Sequence, residues 1–416
     1  MHKNLTPFTG IIPRMKFAPA TIRSYLVPAL ILATASAAVA EEALENDSVS
    51  GPPMSLGPTL NFGGQSLKYS DETLGDWRAF VAATGLAAAQ SNTSNASPKD
   101  FGDVSNAQVM IQKTSGWLQL FAMGGAYSQP ALAGNYTRAY TQTDGTWGFF
   151  PVGWISLAPS DEWRLDIGKI FAIGGGENTF TYQNINIQRG LLWTQTNVVT
   201  RGMQLNYTGS AFSANLAWTD GSYSNTYNWI SGQVSVPINE RHGVNVSWTG
   251  SVSANAMNTM ATPLLQNNSQ ITTLNYGYNS PHWSITPYLQ MTVVPAAPQV
   301  GIMGTSGTQG AAVMGAYRLN PNDGGKAAKQ NITLPLRLEY LNSWGNSGVS
   351  TNNLMYGPNS AAWSATLTPT WQRGAWFARL EGSYVRALNP TPGAAFGLNS
   401  NANSQARVML EAGILY

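Results

Sequence analysis

From Trp77 to the C-terminus the chain repeats runs of about ten residues in which apolar and polar side chains strictly alternate. Across 283–293, Trp283, Ile285, Leu289, Met291 and Val293 oppose Ser284, Thr286, Tyr288, Gln290 and Thr292. Across 332–340, Ile332, Leu334, Leu336, Leu338 and Tyr340 oppose Thr333, Arg337 and Glu339, and 212–218 and 230–238 read the same way. A period of two is that of a β-strand, whose successive side chains point to opposite faces. Globular strands run about five or six residues, whereas a strand tilted across a bilayer needs about 9–11. These runs match the longer class.

Read backwards from Tyr416, sixteen strands can be placed, with fourteen as the lower count because 107–113 and 311–319 are the weakest. Connections alternate between tight turns (114–116, 160–162, 239–241, 280–282, 372–375) and stretches of roughly ten to thirty residues; 320–331 is long where a tight turn is expected. This alternation of short periplasmic turns and long extracellular loops predicts a transmembrane antiparallel β-barrel. Trp77, Trp117, Trp163, Trp283, Trp371 and Trp376 fall at one set of strand ends and Trp147, Trp218, Trp229 and Trp363 at the other, as two belts at the lipid–water interfaces would require. The chain closes on Val408, Leu410, Ala412, Ile414 and Tyr416, apolar at every second position with an aromatic last residue. Pro237, Pro287, Pro335 and Pro369 each lack a ladder donor, so bulges or strand ends are expected there.

Composition narrows the classes. Of 416 residues, 10% are charged and none is cysteine, so a disulfide framework and a zinc-finger site are excluded. After residue 40 there is no apolar run of about 20 residues to make a membrane helix. Residues 1–40 carry Lys3, Arg14, Lys16 and Arg23, then a small, apolar stretch ending in Ala38-Val39-Ala40, the pattern of a secretory signal peptide; translation could start at Met1 or Met15. Without this segment 18 basic and 20 acidic residues remain, a balance that offers nothing to nucleic acid. Residues 41–76, acidic and then rich in Pro and Gly, read as a periplasmic lead-in, and 77–416 as the barrel.

If the apolar sets face lipid, the lumen receives Arg164 and Asp166, Arg337 and Glu339, Arg379 and Glu381, and Arg407 and Glu411, a mixed-sign wall rather than a single-sign filter. Residues 173–199 form the longest outer connection and the third in order. By analogy with sixteen-strand porins it is the candidate constriction, with Glu177 and Arg189 as its charges. Gly174–Gly176 lacks the lysine ending and helix context of a phosphate cradle. The mature chain keeps His242 and His282, both beside tight turns and neither in metal-ligand or nucleophile–base spacing.

One stretch resembles the OmpL-like beta-barrel porins of Gram-negative bacteria: Ile167-Gly168-Lys169, Gly174-Gly175-Gly176-Glu177, Asn184-Ile185-Asn186-Ile187-Gln188-Arg189-Gly190 and the strand from Thr200 through Tyr207. The Trp-Gly-Gly signature of carbohydrate-selective porins is not found. The resemblance implies an outer-membrane diffusion channel without naming a solute. The expectation is thus a passive porin for small hydrophilic solutes and ions, needing no cofactor and no catalytic residue. Its partners would be outer-membrane lipid, lipopolysaccharide and, during insertion, the barrel-assembly machinery; a homotrimer is common for the class, but nothing in the sequence specifies it. The alternative is a non-conducting surface barrel acting as receptor or adhesin through its long loops.

Overall fold

The computed structural model describes residues 60–62, 66–94, 97–132, 134–320, 331–345 and 355–416. Residues 1–40, read above as a signal peptide, most of the expected lead-in and part of the 320–331 connection lie outside the described residues. Among the described residues no helix is long and apolar enough to cross a membrane.

Sixteen antiparallel strands form one closed sheet. They are β1 (Gly75–Gln90), β2 (Asp100–Lys113), β3 (Leu118–Tyr127), β4 (Val152–Leu157), β5 (Trp163–Phe171), β6 (Val199–Thr208), β7 (Ser213–Thr219) and β8 (Trp229–Asn239). There follow β9 (His242–Ser251), β10 (Gln270–Asn279), β11 (Trp283–Val294), β12 (Ser306–Arg318) and β13 (Asn331–Gly345), then β14 in two pieces (Ala361–Leu367 and Thr370–Arg373), β15 (Trp376–Leu388) and β16 (Ser404–Leu415). Each strand pairs with the next in sequence, and β16 pairs with β1 from Arg407↔Gln90 to Leu415↔Ala82. The last residue completes the seam: Tyr416 and Val81 exchange backbone bonds of 2.7 and 2.9 Å. Closure removes the edge that would otherwise leave backbone groups unpaired in hydrocarbon. The two weakly patterned strands are in fact long, 14 residues in β2 and 13 in β12. Their outward faces carry Ala107, Gln309, Ala311 and Gly315, too small or polar to make the alternation visible.

The alternation sorts as the pleat demands. Val109, Ile111, Leu216, Val234, Leu289, Leu338 and Leu380 are exposed on the outer face. Trp117, Trp163, Trp218, Trp283 and Trp363 are exposed as well, but Trp147 and Trp229 are not. Trp147 packs on Tyr127 inside the barrel, and Trp229 points inward and donates its indole N–H to the Asn267 carbonyl. The outer belt is therefore thinner than the strand-end pattern suggests.

The prolines are placed as their missing donor requires. Pro237 sits beside a register shift between His242 and Gly243. At Pro287 the β10–β11 pairing skips. Pro335 and Pro369 share one interruption: β13 pairs Leu336 with Leu367 and Thr333 with Thr370, and between these the Thr368 amide donates to the Pro335 carbonyl. One gap thus accommodates two residues that cannot donate.

A short strand, Leu67–Asp71, pairs with the start of β1 through a turn in which Asp71 accepts the Thr73 and Leu74 amides. Those two bonds hold its exposed carboxyl below the usual carboxylate range. Just upstream, Leu60 and Phe62 are buried inside the barrel, Phe62 lying 5.3 Å from Phe80 and 5.8 Å from Tyr182. The lead-in therefore contributes side chains to the interior rather than only approaching it.

Candidate functional site: the divided lumen

The third long connection, 172–198, folds into the barrel instead of standing above it. Thr181, Gln183, Asn186, Gln188, Arg189, Leu191 and Leu192 have no exposed surface. A segment rich in Asn, Gln and Thr is buried only where its polar groups find partners, and the inward face of β13–β16 supplies them. Arg337 on β13 donates to Glu177 and, at 2.8 Å, to the Gln188 carbonyl. Glu381 on β15 accepts the amides of Ile187 and Gln188 at 2.5 and 3.1 Å and the Gln188 side chain at 2.7 Å. Arg379 donates to the Thr181 and Asn184 carbonyls at 2.8 and 3.0 Å and pairs with Glu411, which accepts the Thr181 hydroxyl at 2.6 Å. Arg407 reaches the Gln188 side chain and Gln90, and Glu339 accepts from Leu192 and Ser364. Gly190 permits the closest approach: a Cβ there would lie 2.1 Å from the Glu339 carboxylate.

The loop's aromatic side chains serve the opposite flank. Phe180 and Tyr182 pack with Phe80, Met110, Phe121, Met123, Tyr127 and Phe377 into an apolar cluster against β1–β4. The inward faces of β1–β4 and β12–β16 are thereby covered.

The structure therefore places the candidate residues as follows. Arg337, Glu339, Arg379, Glu381, Arg407 and Glu411 point inward, each at most 4% exposed, and hold the loop. Arg164 and Asp166 stand apart on β5, bonded at 2.9 and 3.2 Å, with the Arg164 side chain 46% exposed. Glu177 is tied to Arg337 and accepts the Gly190 amide at 2.8 Å. Arg189 exchanges backbone bonds with the second loop at Pro130 and Leu132, and its guanidinium lies 5.3 Å from the Trp193 ring. Neither charge faces open water. Burial pushes the Glu177 carboxyl up despite the opposing pull of Arg337, and it pushes the Arg189 guanidinium down.

What sequence reasoning missed is the uncovered wall. On β6–β9 the inward side chains Gln204, Asn215, Gln233, Ser235 and Asn245 are half-buried rather than sealed. They form a hydrogen-bonded belt: Gln204 and Asn215 both donate to Asn206 at 2.6 Å, Gln233 to Asn215 at 3.4 Å, and Asn245 to Ser235 at 2.7 Å. Asn206 ties the belt to Asp166 at 2.8 Å. The signal was present as Asn and Gln recurring on the polar face of neighbouring strands. Towards the outer end the space between Ile170, Ile173, Asn197, Trp229 and Thr249 has no room for a water molecule. The two histidines lie elsewhere, His242 bonded to Tyr276 and His282 to the Arg318 carbonyl. Among the described residues no cluster of His, Asp and Glu could hold a metal ion.

The family model described as "Putative beta-barrel porin-2, OmpL-like" matches residues 83–416. No curated protein matches the chain in sequence. Among solved structures, the fold is similar to that of an anion-selective porin from Comamonas acidovorans, at 11% identity and a TM-score of 0.51, covering 82% of this chain and 99% of that one. It is also similar to the outer membrane channel DcaP of Acinetobacter baumannii (11% identity, TM-score 0.51, covering 84% and 99%). A third is the outer-membrane expressed OmpT of Vibrio cholerae (10% identity, TM-score 0.51, covering 85% and 100%).

Proposed function

We propose, from the premise that this chain belongs to the OmpL-like beta-barrel porin family and resides in the bacterial outer membrane, that it is a passive channel for small hydrophilic solutes. The observation that carries this reading is the division of the lumen. Every strongly charged inward group on β13–β16 is spent on the loop, whereas the β6–β9 wall keeps half-buried, neutral side chains that are bonded to one another and not covered by the loop. A sixteen-strand circumference is wide enough for an aqueous passage even with one loop inside. Loop 173–199 is the constriction in this reading, and Glu177 and Arg189 act in it as anchors.

Lipid and lipopolysaccharide contact the outer face, the barrel-assembly machinery inserts the protein, and assembly as a homotrimer is compatible with the architecture. Transport needs no catalytic group and no cofactor. A receptor or adhesin role draws on a different observation, the packing of Leu60, Phe62 and the loop aromatics that fills the β1–β4 flank.

Single-channel recording of the purified protein in a planar bilayer separates the two. Stepwise openings are expected. A silent bilayer with circular dichroism of a folded barrel would reject the channel and leave the loops as the functional surface.

A further inference from the structure

Resting on the channel reading, we infer that the open part of the lumen is a recognition surface for uncharged, multiply hydroxylated solutes. Two independent features point there. The first is charge balance. The buried groups around the loop are Arg189, Arg337, Arg379 and Arg407 against Glu177, Glu339, Glu381 and Glu411, equal in number and bonded among themselves or to backbone. On β5–β11, among the described residues, the inward charged groups are Arg164 and Asp166, which neutralise each other. The β6–β9 wall itself therefore presents no net charge, and an ion moving along it finds no opposite charge to replace its hydration.

The second feature is the chemistry of the wall itself. Gln204, Asn215, Gln233 and Asn245 carry both donors and acceptors, as the hydroxyls of a polyol do. Gln233 spends only one N–H, on a 3.4 Å bond to Asn215. The amides lie on adjacent strands in register: Asn215 is opposite Gln233, and Asn245 is opposite Ser235 and Asn275. A hydroxylated solute moving along this wall exchanges one amide partner for the next without leaving a group unpaired. A charged solute of equal size exchanges strong hydration for neutral dipoles.

The test uses the full-length protein in proteoliposomes, with swelling rates for glucose, gluconate and glucosamine, three solutes of one size and three charges. Glucose is expected to enter at least about fivefold faster than either charged analogue. The double variant Gln204→Leu/Gln233→Leu is expected to lose most of that advantage while its salt conductance steps and heat-modifiable migration persist. Entry of gluconate or glucosamine as fast as glucose, from a protein that conducts in bilayers, would overturn the inference and leave the channel standing. A preference unchanged in the double variant would overturn the assignment to this wall. No entry of any solute together with silent bilayers would overturn both readings.

Discussion

At the scale of single residues, the interior separates charges by what they hold. Arg337 is fully buried between Glu177, Glu339 and the Gln188 carbonyl. Replacing it by Met leaves two carboxylates without their cation, a loss of about 3–5 kcal/mol by the general cost of breaking a buried pair. Arg337→Met is therefore expected to lower the thermal unfolding midpoint in detergent and to give larger, noisier conductance steps as the loop loosens. Arg164→Gln is the contrasting case. The Arg164 side chain is 46% exposed, so its pair with Asp166 is worth less than about 1 kcal/mol, and the same two measurements should scarcely move. A reversed ranking would mean that the loop is held chiefly by its aromatic contacts.

At the scale of elements, the pairing of β4 through β7 depends on residues without side chains. Gly168 on β5 and Gly202 on β6 face each other in register, with φ of +149° and +156°. A Cβ on Gly168 would stand 2.4 Å from the Gly153 carbonyl oxygen. Backbone in this region is open almost only to glycine and costs other residues about 1–3 kcal/mol. Gly168→Ala is expected to reduce the folded fraction recovered on refolding into detergent micelles, read by tryptophan fluorescence. Gly277→Ala, where nothing lies within 4 Å of the added carbon, should refold like the parent. Both glycines at 168 and 202 fall in the stretches that carry the family resemblance, so part of that likeness has a plain steric cause.

At the scale of the whole molecule, stability rests on one cooperative closure. The seam joins residues more than 300 positions apart, and its last bonds belong to Tyr416. The intact protein should migrate faster on a detergent gel unheated than boiled. Deleting Leu415 and Tyr416 removes bonds at the seam and the buried Leu415 side chain from the apolar cluster. The expected result is loss of the fast-migrating form, and its persistence would show that β1 and β16 close without their terminal contacts.

The strands were legible because alternation is a local property: each run of residues declares two faces, and a bilayer outside with water inside uses both. That local pattern determined the barrel, the ends at which turns and loops lie, and the inward set from Arg164 to Glu411. It also marked the prolines as interruptions, though not that Pro335 and Pro369 would share one. Only the tertiary structure decided what the inward charges do. Glu177 meets Arg337 across 160 residues of sequence and Thr181 meets Glu411 across 230, and no periodicity encodes contacts of that separation. For the same reason the sequence could count the charges of the lumen but not show that the loop covers them, leaving neutral amides on the wall it does not cover.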